Sequence, residues 1–213
     1  MVFNRRAIPN QLTVLRLVLA GVFFVVLNQY RYLPAGAALG RGFLLAAFVF
    51  FIIAALTDFL DGYLARRWRA ESMFGRIMDP FCDKVLVLGA FIYLSGPRFV
   101  DPLAVERNDY FTMISGVYPW MVAVILAREL LVTGIRDEME SQGVKFGAQM
   151  PGKLKAVLQL IVIPVVLFIV WCDPRAQGHE WMCWLRDGLV YATVAATVLS
   201  GIPYLTSAWR AVR

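Results

Sequence analysis

Six apolar stretches dominate this chain, at roughly 10–30, 42–64, 80–96, 117–135, 154–172 and 188–207. Each approaches the length of about 20 residues that a helix needs to cross a bilayer. Lipid offers no hydrogen bonds, so a spanning segment must satisfy its own backbone, and runs of this length do so as helices. Only 17% of the residues are charged and the mean hydropathy is +0.64, against about a quarter charged in a soluble domain. The sequence therefore predicts an all-α integral membrane protein of six transmembrane helices. The links are too short for a separate domain, so residues 1–213 are read as one unit. Arg5 and Arg6 ahead of the first stretch and "LPAGAA" behind it imitate a signal peptide. Arg16 interrupts that apolar core, however, and the stretch is read as a retained span.

Charge in the links sets the orientation. With an even number of spans both termini share a side. Twelve basic residues fall there, from Arg5 and Arg6 through Arg66, Arg67, Arg69, Arg76, Arg136, Lys145, Lys153 and Lys155 to Arg210 and Arg213. Six fall on the other side: Arg31, Arg41, Arg98, Arg107, Arg175 and Arg186. That bias predicts both termini in the cytoplasm. The net charge of +6 then reads as attraction to anionic headgroups rather than to nucleic acid, since no nucleic-acid-binding module is visible. Cys82, Cys172 and Cys183 form no CxxC pair, which argues against zinc. Cys172 and Cys183 flank a link placed outside, where a disulfide and two free thiols are both open readings. His179 stands alone in that link as a solvated residue.

The chemistry concentrates in "TDFLDGYLARRWRAESMFGRIMDPFCDK", Thr57 to Lys84. Asp58 and Asp61 are three apart and share a helical face; Asp79 and Asp83 are four apart and share another. The basic stretch from Tyr63 to Met78 is long enough to turn the chain back, so the two pairs can converge from adjacent helices. A helix N-terminus favours an acid and would account for Asp79. It does not account for Asp58 and Asp61 near the end of an apolar helix, or for Asp83 inside the third span. Ionisable groups in spans are costly and point to function. Four clustered carboxylates repel one another unless a cation neutralises them, and an all-oxygen set suits magnesium, manganese or calcium. Gly62 and Gly75 let a flat ring or a phosphate approach the backbone, with close helix packing the plainer explanation. Ala65 is small for the same reason, and Arg66 is placed to meet a phosphate oxygen.

The pattern Asp58-x2-Asp61-Gly62-x2-Ala65-Arg66-x8-Gly75-x3-Asp79-x3-Asp83 resembles the signature of the CDP-alcohol phosphotransferase family, with every fixed position present. The resemblance implies a six-span homodimeric enzyme that moves a phosphatidyl or similar group from a CDP-linked donor to an alcohol and releases CMP. It implies that Asp58, Asp61 and Asp79 bind metal, with Asp83 shared between ligation and general base. The metal is expected to be two magnesium ions, replaceable by manganese. Gly62, Ala65, Arg66 and Gly75 are expected to line the cytidine diphosphate pocket.

Three further stretches narrow the resemblance. In "IPNQLTVLR", Asn10, Thr13 and Arg16 recur every three residues and share a face. In "ILARELLVTGIR", Arg128 and Arg136 lie eight apart, close to two turns, with Glu129 beside Arg128. "GKLKAVLQ" opens the fifth span with Lys153 and Lys155. Together they resemble the bacterial branch of the family that uses CDP-diacylglycerol and sn-glycerol 3-phosphate, although Ala156 stands where that branch often has Thr. This branch implies an enzyme of the bacterial inner membrane working at its cytoplasmic face. Asn10 and Thr13 are assigned to the donor pocket. Arg128, Arg136, Lys153 and, more weakly, Arg16 are assigned to the acceptor's phosphate, because the aspartates cannot bind a second anion. Rival readings are a transferase for inositol phosphate, serine or cardiolipin formation, or a cation transporter. The stretch from Pro97 to Pro119 receives no role.

Overall fold

The computed structural model describes residues 8–33, 40–68, 73–143, 150–173 and 178–211; of these, the side chains at 8–10, 61–68, 73–77, 79–80, 150–151, 208 and 210–211 are left out. Within that extent six long helices form: α1 (Ile8–Leu27), α2 (Arg41–Trp68), α3 (Met73–Leu94), α5 (Pro119–Ser141), α6 (Met150–Cys172) and α7 (Glu180–Ala211). A short α4 (Pro102–Glu106) lies between α3 and α5. Neighbour relations close the six into a ring in the order α1, α2, α6, α7, α5, α3, with α3 also reaching α6 across the middle.

Several helices overrun the expected spans, α7 by eight residues at its start, Glu180 rather than 188. α3 begins at Met73, not near 80, and α2 runs to Trp68, not 64. Most of the basic stretch expected to be a link is helical, which puts Asp79 more than a turn inside α3. Hydropathy registers only where apolar character stops; backbone hydrogen bonding continues past that point. By length and composition, Arg41–Leu60, Gly152–Cys172 and Glu180–Ser207 can each cross a membrane, and Gln11–Leu27 is a shorter apolar helix. α3 and α5 are the helices that carry Asp79, Asp83 and Lys84 and Arg128, Glu129 and Arg136.

Polarity is arranged for lipid rather than water. Around α1, Val14, Leu15, Leu17 and Val18 are exposed while Thr13 and Arg16 are buried. The same inversion places Lys155 and Gln159 inside α6 with Leu154 and Val157 outside. Polar groups that would be costly against hydrocarbon face the bundle interior. Apolar packing fills the rest of that interior. Phe23 on α1 meets Phe51 on α2 at 5.6 Å between ring centroids, and Phe24 stacks on Tyr93 of α3 at 5.2 Å. A Cβ on Gly89 would collide with the Phe24 ring, so glycine there permits the α1–α3 approach. Thr57, Thr133, Thr193 and Thr197 return their hydroxyl protons to carbonyls one turn back, which satisfies them without water.

The stretch from Pro97 to Pro119 closes one end of the bundle. A 3-10 turn at Pro97–Phe99 leads into an antiparallel bridge between Val100 and Met113. Asp101 caps α4, accepting from the Leu103 N–H at 3.1 Å. Ser115 donates to the Leu94 carbonyl at 2.6 Å, and the buried Arg186 of α7 donates to the Ile114 carbonyl. Gly116 adopts a φ of +70° beneath Arg186 and Asp187, where a side chain would meet both. Cys172 and Cys183 are half-buried and are not bonded to each other in this structure.

Candidate functional site

A cavity of about 320 Å³ opens between α2, α3, α5 and α6. Its polar lining is Asp58 from α2, Asp83 and Lys84 from α3, Glu129 and Arg136 from α5, and Lys155 and Gln159 from α6. Asp58 and Asp83 thus reach one space from consecutive helices. Both are held by one cationic atom: Arg16 Nη1 on α1 lies 2.7 Å from Asp58 Oδ1 and 3.0 Å from Asp83 Oδ1. Arg16 is 1% exposed at its side chain, against 39% for Asp58 and 51% for Asp83. The carboxylates therefore look into the opening from a cation anchored behind them. Thr13 is buried one turn from Arg16 on the same helix.

The far wall is basic and tightly wired. Lys84 donates to Thr133 Oγ1 at 2.6 Å. Glu129, almost fully buried, accepts from Lys155 and from Arg128 Nη1, the latter at 2.9 Å. Arg128 also donates to the Ser200 carbonyl of α7 at 3.3 Å. The guanidinium groups of Arg128 and Arg136 lie over the Tyr204 ring at 5.9 and 5.8 Å, within cation–π range. Arg136 Nη2 meets the Tyr204 hydroxyl at 3.3 Å. Two buried cations sharing one carboxylate carry excess positive charge, which suits an incoming anion better than an empty site.

The expected residues are thus distributed unevenly. Asp58, Asp83 and Arg136 share the cavity. Arg16 meets the aspartates rather than the basic wall. Arg128 stands behind that wall, turned toward α7, and Lys153 is exposed while Lys155 is buried against Glu129. Two residues apart on a helix means nearly opposite faces, so only one of the two lysines can point inward. Asp61, Gly62, Ala65, Arg66, Gly75 and Asp79 lie on helical backbone, and Asn10 on the first turn of α1; their side chains fall outside the described residues.

Lys84, Lys155, Gln159 and Tyr204 were not assigned from the sequence, yet signals for two of the helices existed. Positions 155, 159, 162 and 166 follow the helical repeat, and all four are buried; Lys155 and Gln159 interrupt an apolar stripe. On α7, Thr193, Thr197, Ser200 and Tyr204 form a buried stripe at the same spacing.

The sequence pattern of the CDP-alcohol phosphatidyltransferase family matches residues 6–199. A CDP-diacylglycerol–glycerol-3-phosphate 3-phosphatidyltransferase of Cereibacter sphaeroides is 35% identical over 92% of this chain and 76% of its own length. The protein of the same name from Bacillus subtilis is 30% identical over 97% of both chains, and that of Mycoplasma genitalium 29% over 96% of this chain and 78% of its own. The match takes in all four aspartates and the basic residues of α5 and α6, the two sides of the cavity. The chain belongs to the CDP-alcohol phosphatidyltransferase family.

Proposed function

We propose that this protein transfers the phosphatidyl group of CDP-diacylglycerol to sn-glycerol 3-phosphate, forming phosphatidylglycerophosphate and CMP. One observation carries the reading beyond family membership. A single cavity presents carboxylates on one side and Lys84, Arg136 and Lys155 on the other. A reaction that joins a pyrophosphate donor to a phosphorylated alcohol needs both: acids to hold cations against the donor, and bases to hold the acceptor's phosphate. A serine acceptor would offer the basic wall only a singly charged carboxylate with an ammonium beside it, a poorer match for three cations than a phosphate. A cation path would not need the basic wall at all.

The donor set fits a divalent metal. Asp58 and Asp83 supply only oxygen, and they already converge on one positive atom, Arg16 Nη1. Asp58, Asp61, Asp79 and Asp83 would hold magnesium, with manganese a workable substitute. When bound, the metal would neutralise charge on the donor's phosphates. Gly62, Ala65, Arg66, Gly75, Asn10 and Thr13 are proposed to receive the cytidine diphosphate end.

In the transfer, a primary hydroxyl of the acceptor attacks the phosphatidyl phosphorus. Its bond to the CMP oxygen breaks, CMP departs with that electron pair, and Asp83 takes the hydroxyl proton. Lys155 and Arg136 hold the acceptor's phosphate while Glu129 fixes Lys155 in place. The lipid tails stay among the exposed apolar faces of the helices. We read the enzyme as a six-span homodimer of the bacterial inner membrane, with both termini and the site cytoplasmic, on the strength of the basic-residue bias and the family resemblance.

The deciding experiment supplies purified protein with CDP-diacylglycerol and a panel of acceptors, with and without magnesium. CMP and phosphatidylglycerophosphate should form only with glycerol 3-phosphate and metal. Product with inositol phosphate or serine instead would reassign the acceptor, and no CMP release with any acceptor would end the transferase reading.

A further inference from the structure

Among the described residues, the cavity's lining holds one neutral polar side chain, Gln159 on α6. The charged side chains around it have partners. Lys84 meets Thr133, Arg136 meets Tyr204, Lys155 meets Glu129, and Asp58 and Asp83 meet Arg16. Arg16 and Arg136 each leave Nε unmade but are held through other guanidinium nitrogens, whereas among the described residues Gln159 has no such second hold. It is 3% exposed, and its Nε2 has no hydrogen-bond partner. A buried donor left unmade is disfavoured, and folded proteins keep few of them. Packing alone does not explain it, because Leu or Met would fill the same volume without stranding an N–H. A stranded donor on a cavity wall is explained if a ligand supplies the acceptor.

Helix register says which part of a ligand it would meet. Gln159 lies nine residues from the start of α6, Asp58 ten from the end of α2, and Asp83 ten from the start of α3. Lys155 lies only five residues into α6 and Arg136 five from the end of α5. At 1.5 Å per residue, Gln159 sits about 6 Å deeper than Lys155, near the level of the carboxylates. A phosphate held by Lys155 and Arg136 would leave the rest of its molecule beside Gln159.

We propose that Gln159 is a specificity-determining residue whose carboxamide hydrogen-bonds the non-reacting, middle hydroxyl of the glycerol 3-phosphate acceptor. The proposal rests on the transferase reading above. A hydroxyl both donates and accepts, and a carboxamide offers both functions without charge. A charged residue at this depth would compete instead for the metal or the phosphate. Sites built around a substrate hydroxyl reject analogues that lack it, because the protein's own polar group is then left unpaired.

The test uses full-length protein, CDP-diacylglycerol, and two acceptors: sn-glycerol 3-phosphate and 3-hydroxypropyl phosphate, which lacks the middle hydroxyl. CMP release is measured for wild type, Gln159→Met and Gln159→Leu. Wild type should prefer glycerol 3-phosphate by about tenfold or more in kcat/KM, the worth of one such hydrogen bond. Each variant should lose that preference by falling on glycerol 3-phosphate while staying within about twofold of wild type on 3-hydroxypropyl phosphate. Retained turnover of the second acceptor doubles as the folding control. Equal losses on both acceptors, or an intact preference in the variants, would overturn the assignment. So would a wild type indifferent to the missing hydroxyl, a result that requires no variant to fold. A wild type that uses neither acceptor but transfers to another alcohol would instead overturn the choice of glycerol 3-phosphate as acceptor, and this assignment with it.

Discussion

Arg16 on α1 and Asp58 on α2 are joined by an ion pair of 2.7 Å, and the same guanidinium nitrogen lies 3.0 Å from Asp83 on α3. One buried cation therefore ties the first three helices together at the level of the site. It also sets the spacing of two carboxylates that would otherwise repel. An arginine suits this place because it keeps its charge when buried and can serve two acceptors at once.

Replacing Arg16 should loosen both the bundle and the site. Arg16→Gln keeps some hydrogen bonding but removes the charge. Loss of a half-exposed pair costs about 1 kcal/mol and of a fully buried one about 3; Asp58 and Asp83 are both open to solvent, so a value between these is expected. Thermal unfolding in detergent should report it as a lower Tm, accompanied by weaker donor use. A variant as stable and active as wild type would show that the ion pair is incidental.

Asp58→Asn, Asp61→Asn and Asp79→Asn should each abolish turnover while leaving the protein folded, since shape survives and ligand charge does not. Chelation should stop the reaction reversibly, and manganese should restore part of the rate. Full activity after exhaustive chelation would rule out a metal mechanism.

Asp83→Asn should still bind the CDP-linked donor but turn over about 10²–10⁴-fold more slowly, the usual cost of losing a general base. Labelled-donor binding measured beside CMP release separates the two effects. Near-normal turnover would remove Asp83 from the base role.

The two lysines of α6 should part company. Lys155 is buried against Glu129 and lines the cavity, whereas Lys153 is exposed. Lys155→Met and Arg136→Ala should each raise the glycerol 3-phosphate KM about tenfold or more, as expected for one charge-assisted bond to phosphate, with little change in the donor KM. Lys153→Met should change the acceptor KM less than about threefold, roughly the 0.5 kcal/mol of a substitution outside the site. Equal effects at 153 and 155 would contradict the orientation of α6.

Glu129 offers a test of buried charge. Glu129→Gln leaves Lys155 and Arg128 without their shared carboxylate, and unpairing a buried ion costs about 3–5 kcal/mol. Adding Lys155→Met should recover a good part of the lost Tm without recovering activity. A double variant less stable than Glu129→Gln alone would show that the pair is not the source of the loss.

Much of this was legible in the sequence because its causes are local. Runs of apolar residues locate helices through the hydrogen-bonding demand of lipid. The spacing of Asp58, Asp61, Asp79 and Asp83 places each pair on one helical face. Helix ends were misplaced, at α2, α3, α5, α6 and α7, since polar residues end the hydropathy signal while the backbone continues as helix.

Spacing alone also put Arg128 and Arg136 on one face, and both do meet Tyr204. It could not show that Tyr204, 68 residues after Arg136, would be the ring beneath them, nor that Arg128 would turn to α7 while Arg136 reaches the cavity. The sequence by itself determined the membrane class, the family and the aspartate motif, because each follows from residues within a few helical turns. Only the tertiary structure decided that Arg16 meets Asp58 and Asp83, that Lys155 rather than Lys153 faces inward, and that Gln159 is left with a free donor. Those facts depend on how six helices rotate against one another, and rotation is set by packing between residues far apart in the chain.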